Sequence, residues 1–247
     1  IFSSLGVNDK YLLAIYTLFN ADGSETGNLK DAMGKLTGKP FVDMEMAAGI
    51  LKGKGLIREG AHNWRTATYD YSVRDEYLIP AMMYLYGEEK ELTIAVLEAA
   101  KALRPSAVQK MLWRYISSDY RDISLFEISD YEISMRLRCF IPAVHNPDFA
   151  QLLMLFDHNN FSSLLHDTFV MMFVDEEIAD TTHIRSLLSG YRFFMSGGEE
   201  RETLAGICDL YDYLAYGRLP RMLLPGYMSH RIIAAMSEAY KGNIRIS

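Results

Sequence analysis

The chain of 247 residues carries a formal net charge of −7, and 49% of its residues are hydrophobic while 23% are charged. This composition is ordinary for a folded globular protein, and it excludes a largely disordered chain. The acidic balance also argues against a general binder of polyanions such as nucleic acid.

The N-terminal residues predict three helices. The segment NDKYLLAIYTLFN, residues 8–20, begins with Asn8 or Asp9 as the N-cap, and its large apolar residues share one helical face. Asn28 is placed to cap a second helix, which Gly38 ends. The Lys-Pro pair at 39–40 turns the chain into a third helix over residues 41–54, and Gly55 stops that helix.

A β-hairpin is predicted next, with strands LIRE (56–59) and ATYDYSV (67–73) and the tip GAHNWRT between them. Two helices, a turn, a third helix and a hairpin resemble the winged helix-turn-helix superfamily, and ILKGKGLIRE is the passage that resembles it most. The resemblance covers about a third of the chain and implies a winged-helix fold for residues 1–87. In that superfamily the third helix usually lies in the major groove of DNA, and the wing lies along the backbone or minor groove.

The outward face of the third helix does not suit base recognition. At about 100° per residue, this face is small and apolar. Its central residues are Val42, Met46, Gly49 and Gly53. Reading bases needs Arg, Lys, Asn, Gln or Ser at such positions. We therefore predict that this face contacts protein, either the C-terminal helices or another chain.

Six residues are candidates for nucleic-acid contact: Lys39, Lys52, Lys54, Arg58, Trp64 and Arg65. The basic side chains would meet phosphates, and Trp64 would stack at the wing tip. The alternative is that the basic residues form a solvated surface and that Trp64 packs beside the hairpin. Residues 1–86 hold nine Lys/Arg against ten Asp/Glu, so we expect any DNA binding to be weak and independent of sequence.

Helical patterns continue to the C-terminus, and the chain is predicted to be mainly α. The helices are expected at 74–87, 88–103, 105–118, 129–140, 148–157, 161–174, 181–195, 199–215 and 229–241. We predict two domains, a winged-helix-like domain at 1–87 and an all-helical domain at 88–247. The second would be an antiparallel array or superhelix of helical-repeat type, with an irregular bundle as the alternative, because the tetratricopeptide pattern is absent.

No residue pattern predicts catalysis, a cofactor or a metal site. GILKGKG has three residues between its first two glycines, whereas a phosphate-binding P-loop has four, and no Ser or Thr follows the Lys. Cys139 and Cys208 lie in apolar helical patterns and are expected to be reduced core thiols. No apolar run reaches the ~18 residues of a membrane span, so we expect a cytoplasmic protein. The first residue is Ile and the end, GNIRIS, is strand-like, so we expect a segment of a longer protein.

The function expected from these patterns is a non-catalytic binding and positioning module. It would be an accessory region of a larger nucleic-acid-related protein, for example a helicase-like motor. Two alternatives stay open: a transcription regulator whose C-terminal helices sense a ligand or dimerise, and a protein–protein interaction scaffold without nucleic-acid contact. Expected partners are other domains of the same protein or a separate protein, with weak sequence-independent nucleic-acid binding and no membrane.

Overall fold

The fold is given by a computed structural model. It describes residues 1–20, 26–38, 44–63, 68–123, 128–144, 146–157, 159–161, 163–165, 167–168, 182 and 185, and the side chains of 44–47, 61, 63 and 68 are not described. The chain divides into two compact units, Ile1–Cys139 and Phe140–Ser247.

The first unit combines helices with one hairpin. Its elements are α1 (Val7–Leu18), α2 (Thr26–Thr37), α3 (Met44–Gly53), β1 (Ile57–Asn63), β2 (Thr68–Val73), α4 (Asp75–Gly87), α5 (Lys90–Ala99), α6 (Ala107–Ser117) and α7 (Asp130–Met135). Short 3-10 helices lie at Phe2–Ser4 and Leu137–Phe140. Among the described residues, the only sheet is the antiparallel pair β1–β2. The prediction of a mainly α chain with one hairpin is confirmed.

Helix α1 is the centre of the first unit. All seven residues from Leu12 to Leu18 are buried, and the helix contacts α2, α3, β2, α4, α5 and α6. The apolar residues predicted to share one face, Leu12, Ile15, Tyr16 and Phe19, are all buried, and Leu13, Ala14 and Thr17 are buried as well. The predicted N-cap was wrong, since the helix begins at Val7 after Gly6. Asp9 instead lies in the first turn, where its negative charge suits the helix dipole.

The glycines predicted to stop α2 and α3 do so. Gly38 has φ of 67° and Gly55 has φ of 70°, and this left-handed conformation ends a helix with little strain only at glycine. The start of α2 lies at Thr26, so Asn28 falls inside the first turn instead of capping it.

The hairpin is longer than predicted, because β1 continues to Asn63. Glu59 pairs with Tyr71 and His62 with Tyr69, so β1 has one more residue than β2 between these pairs. This extra residue makes a β-bulge. Gly60 lies there, and a Cβ on it would come within 3.3 Å of the Asp70 Cβ. Residues 60–63, predicted as part of the tip, therefore belong to the strand.

Helices α5 and α6 complete the core around α1. The buried Gln109 side chain of α6 donates from Nε2 to three carbonyl oxygens at the end of α1, those of Tyr16, Thr17 and Phe19, at 3.2, 3.1 and 3.0 Å. The Asn20 amide also donates to the Arg104 carbonyl at 2.8 Å. The first compact unit therefore extends to Cys139, whereas the sequence placed a domain boundary after residue 87.

Two helices that start after residue 100 carry a serine cap. Ser106 and Gln109 form a reciprocal capping box at the start of α6, and the Ser129 hydroxyl accepts from the Glu132 amide at the start of α7. The predicted helix at 129–140 is shorter, because α7 ends at Met135 and a 3-10 turn follows. Cys139 is free and buried, which confirms its predicted state, and burial raises its thiol pKa. Cys208 lies outside the described residues.

The second unit has short helices and an aromatic core. Its described elements are α8 (Ile141–Val144), a 3-10 helix (Pro147–Phe149) and α9 (Ala150–Leu153). The rings of Phe140 and Phe156 meet edge to face at 4.9 Å. The predicted helix at 148–157 is thus broken into a 3-10 turn and one short helix. Described residues from 159 to 168 are helical, as are Thr182 and Arg185. The predicted helices at 199–215 and 229–241 lie outside the described residues.

Candidate binding surfaces

The outward face of α3 is open to solvent in this chain. Ala48 and Leu51 are buried against the core, whereas Gly49 and Gly53 are exposed and the Ile50 side chain is 47% exposed. A Cβ added at either glycine would meet nothing within 4 Å. None of the described residues therefore covers the two glycines, and cover by the C-terminal helices or by another chain stays a prediction. Val42 and the Met46 side chain lie outside the described residues.

Lysine side chains flank this surface. The Lys52 ammonium forms an ion pair with the Glu59 carboxylate of β1, and this hydrogen bond raises the pKa of Lys52. Lys54 is exposed, and the described residues offer it no ion-pair partner. Lys39 lies outside the described residues. Of the three lysines proposed for phosphate contact, one is thus neutralised within the fold and one is available.

Arg58, another candidate, is bound to an almost fully buried carboxylate. Its Nη1 donates to Asp75 Oδ2 at 2.9 Å, and its Nε donates to the Ser72 hydroxyl at 3.2 Å. Asp75 opens α4 and is 6% exposed, so its charge needs such partners. The Arg58 side chain is still 52% exposed, but its charge is paired within the fold.

A second arginine joins the same carboxylate. Arg136 Nε, just after α7, donates to Asp75 Oδ1 at 3.1 Å, while its Nη2 is buried without a hydrogen-bond partner. Asp75 thus links the hairpin, the start of α4 and the end of α7. Asp75 and Arg136 were not predicted as partners, because they lie 61 residues apart and no local sequence pattern joins them.

The hairpin presents an aromatic pair near its end. The rings of His62 and Tyr69 lie 4.8 Å apart across the two strands, and the Tyr69 side chain is 39% exposed. Such cross-strand pairs stabilise a hairpin. Trp64 and Arg65, the predicted contacts at the tip, lie outside the described residues. Tyr69 was not selected from the sequence, although it alternates with Tyr71 and Val73 along the strand.

Within the described ranges, no group of three or more His, Cys, Asp or Glu side chains is placed to hold a metal ion. No helix formed by these residues is long and apolar enough to span a bilayer. Comparison of the chain with protein-family models, with curated proteins and with solved structures gave no significant match.

Proposed function

We propose that the first unit is a winged helix and that the chain is a non-catalytic binding and positioning module. The order of elements supports this fold, because α3 packs on α1 and leads through Gly55 directly into the hairpin. For the helices after the hairpin we propose an antiparallel array. Only two residues join α4 to α5, and these helices contact each other, as antiparallel neighbours do.

The observation that carries the function is the exposed surface formed by Gly49, Ile50 and Gly53. We name it the α3 surface. Glycine in a helix interior is unfavourable by about 1 kcal/mol relative to alanine, and the two glycines leave a shallow groove beside an exposed Ile50. Such a surface lets another helix approach closely. It offers no hydrogen-bonding side chain for a base edge. The proposed task of the α3 surface is therefore to dock a partner protein.

Nucleic-acid contact has a secondary part in this proposal. The ion pairs of Lys52 with Glu59 and of Arg58 with Asp75 remove two cations from phosphate binding. Lys54 and the wing leave room for a few backbone contacts, which would be weak and independent of sequence. By analogy of fold, the setting we propose is an accessory region of a larger nucleic-acid-related protein, for example a helicase-like motor.

A site-specific photo-crosslinking experiment tests the docking role. A photoreactive amino acid replaces Ile50 in the full-length gene product in its native cell, and the matched control carries it at Ile94. Ile94 lies on α5 and is 63% exposed, so it is equally accessible but outside the α3 surface. We expect one discrete crosslinked protein from position 50 and none of the same size from position 94.

Substitutions of the glycines separate docking from folding. Gly49→Gln and Gly53→Gln add side chains where the fold has open space, and both replace helical glycines, so the free energy of unfolding should rise or stay the same. The position-50 crosslink should nevertheless disappear, because the added side chains block close approach. A crosslink that survives both substitutions would contradict the proposal. Tight, sequence-specific DNA binding that Gly49→Gln abolishes would instead restore a recognition role for α3.

A further inference from the structure

Helix α6 ends in a motif that usually contains glycine. The Tyr120 amide donates to the Tyr115 carbonyl at 2.9 Å and the Asp119 amide to the Ile116 carbonyl at 3.1 Å, which is the Schellman pattern. The Tyr115 and Tyr120 rings supply the accompanying apolar contact, at 5.7 Å. Asp119 occupies the left-handed position, with φ of 54°. Aspartate is one of the few residues besides glycine that adopt this conformation, although glycine does so with less strain.

The Asp119 side chain binds the hydroxyl of Tyr86, whose ring contacts a second aromatic ring. Its Oδ1 accepts a hydrogen bond from the Tyr86 hydroxyl at 2.8 Å. The Tyr86 ring, at the end of α4, meets the Trp113 ring of α6 at 6.2 Å and an interplanar angle of 85°. Both rings are half-buried, and Asp119 is exposed. We name this group the aromatic corner: two perpendicular rings with a carboxylate beside them.

A cation of the protein itself already lies at this corner. The Lys90 ammonium lies 5.6 Å from the centroid of the Tyr86 ring. The negative face of an aromatic ring attracts an ammonium group at this distance. Lys90 is exposed, and neither it nor Asp119 has an ion-pair partner among the residues that the structure describes. The Tyr86 ring face and the Asp119 carboxylate therefore attract positive charge, and Lys90 does not neutralise the carboxylate through an ion pair.

In a second lysine–tyrosine contact of the same unit, the neighbouring carboxylate is paired with the lysine. The Lys10 ammonium lies 5.8 Å from the centroid of the Tyr84 ring. There the Glu89 carboxylate binds both the lysine and the tyrosine hydroxyl, and Phe2 packs against the Tyr84 ring at 5.5 Å. Lys10 and Glu89 neutralise each other and are largely buried. The aromatic corner has the same components but leaves its carboxylate and its cation unpaired and exposed.

We propose that the aromatic corner of Tyr86, Trp113 and Asp119 binds a lysine side chain of a partner protein. The ammonium, methylated or unmethylated, lies against the ring faces, and Asp119 supplies the opposite charge. Lys90 occupies the corner in the free protein and leaves it when the partner binds. Aspartate at the left-handed position supplies both the hydrogen bond to Tyr86 and a negative charge, neither of which glycine would provide. The site is separate from the α3 surface and does not depend on it.

The test uses nuclear magnetic resonance of the full chain labelled with ¹⁵N. The indole N–H peak of Trp113, assigned with a Trp64→Phe variant, reports on the corner. The ligands are the N-acetyl amides of lysine and of trimethyl-lysine, with N-acetyl-norleucine amide as the uncharged control at equal ionic strength. We expect both cations to shift this peak in a saturable manner, with millimolar affinity, and norleucine to leave it unchanged. Preference for trimethyl-lysine identifies a methylated partner, and equal affinity identifies an unmodified one.

Three variants separate binding from folding. Asp119→Asn should weaken cation binding by about five-fold, the loss expected for one exposed charge. Asp119→Gly should weaken it as much, while its thermal midpoint stays the same or rises because the left-handed strain is relieved. Lys90→Ala removes the internal competitor and should strengthen binding by about two-fold or more.

Some results would overturn the proposal. These are no saturable shift with either cation, an equal shift with norleucine, and unchanged affinity in Asp119→Gly. Weaker binding in Lys90→Ala would contradict the role given to Lys90. Glu89→Gln, at the contact of Lys10 with Tyr84, is the matched control and should leave the affinity for the lysine ligands unchanged. A failure of these measurements does not touch the docking role of the α3 surface, which the crosslink at position 50 tests separately.

Discussion

At the scale of single residues, Gln109 joins helices that are distant in sequence. Its Oε1 accepts from the Ser106 amide at 2.9 Å, and its Nε2 faces the three carbonyl oxygens at the end of α1. The side chain is 3% exposed, so water does not replace these hydrogen bonds. An amide suits this place because one end accepts and the other donates.

We therefore expect Gln109→Glu to be strongly destabilising at neutral pH. One carboxylate oxygen would still accept from Ser106, but the other would face carbonyl oxygens without a proton to share. The free energy of unfolding should fall by about 3 kcal/mol or more at pH 7. The folded protein would raise the pKa of this carboxyl above the ~4.3 of an unfolded chain. The loss should therefore be small near pH 4 and grow as the pH rises toward 7. Urea denaturation at both values measures it.

The matched control is Gln109→Ala, which removes the hydrogen bonds without adding charge. It should lower the free energy of unfolding by about 2 kcal/mol at both pH values, relative to the unchanged protein under the same conditions. Equal losses for Gln109→Glu and Gln109→Ala at pH 7 would show that the carbonyl cluster is open to water.

At the scale of elements, Asp75 fixes the hairpin to α4 and α7. Its carboxylate is held by Arg58 from β1 and by Arg136 after α7. Asp75→Asn should lower the free energy of unfolding by about 3 kcal/mol, because Arg136 would be left largely buried without its counter-charge. Amide hydrogen exchange in β1 and β2 should also become faster. Chemical denaturation and exchange measured on the same variant check the two effects.

A neighbouring ion pair provides the control for Asp75. Glu76, the residue after Asp75, forms an ion pair with Arg74, and both side chains are substantially exposed. Glu76→Gln should change the free energy of unfolding by no more than about 0.5 kcal/mol. A similar small effect of Asp75→Asn would contradict the linking role.

The elements that were predicted correctly are those with local signals. Gly38 and Gly55 end their helices because the left-handed conformation depends on the residue itself. Ser129 and the pair Ser106–Gln109 cap helices through neighbours three residues away. The bulge at Gly60 depends on the opposite strand, and no short-range pattern indicates it. The pairing of Asp75 with Arg136 also depends on tertiary packing, so the sequence did not identify it.

The candidate surfaces also combine features that local patterns predict with features that only the fold produces. Helical periodicity placed Gly49 and Gly53 outward, and both are exposed. Periodicity does not show ion pairing, so it did not reveal that Lys52 and Arg58 bind carboxylates of the fold. The aromatic corner was not predicted, because Tyr86 and Asp119 lie 33 residues apart and only the fold brings them together.

At the scale of the whole molecule, the position of the first domain boundary has a measurable consequence. The sequence placed it after residue 87, but α1 also packs against α5 and α6. A fragment that ends at residue 87 would expose the parts of α1 that contact α5 and α6, and the last carbonyls of α1 would lose the hydrogen bonds from Gln109. The first unit should therefore require the helices up to Cys139.

We expect a fragment of residues 1–139 to fold on its own and a fragment of residues 1–87 not to. In urea, 1–139 should unfold in one cooperative transition with dispersed amide resonances, since its core is complete. The shorter fragment should lack a cooperative transition and bind a dye for exposed apolar surface, because about 25 cal/mol is lost for each Å² of apolar area returned to water. In the longer fragment, Gln109→Glu should make the urea transition less cooperative and increase dye binding, as in the shorter fragment. Cooperative unfolding of residues 1–87 at the midpoint of the longer fragment would instead make these residues a domain in their own right, with α5 and α6 as a separate covering layer.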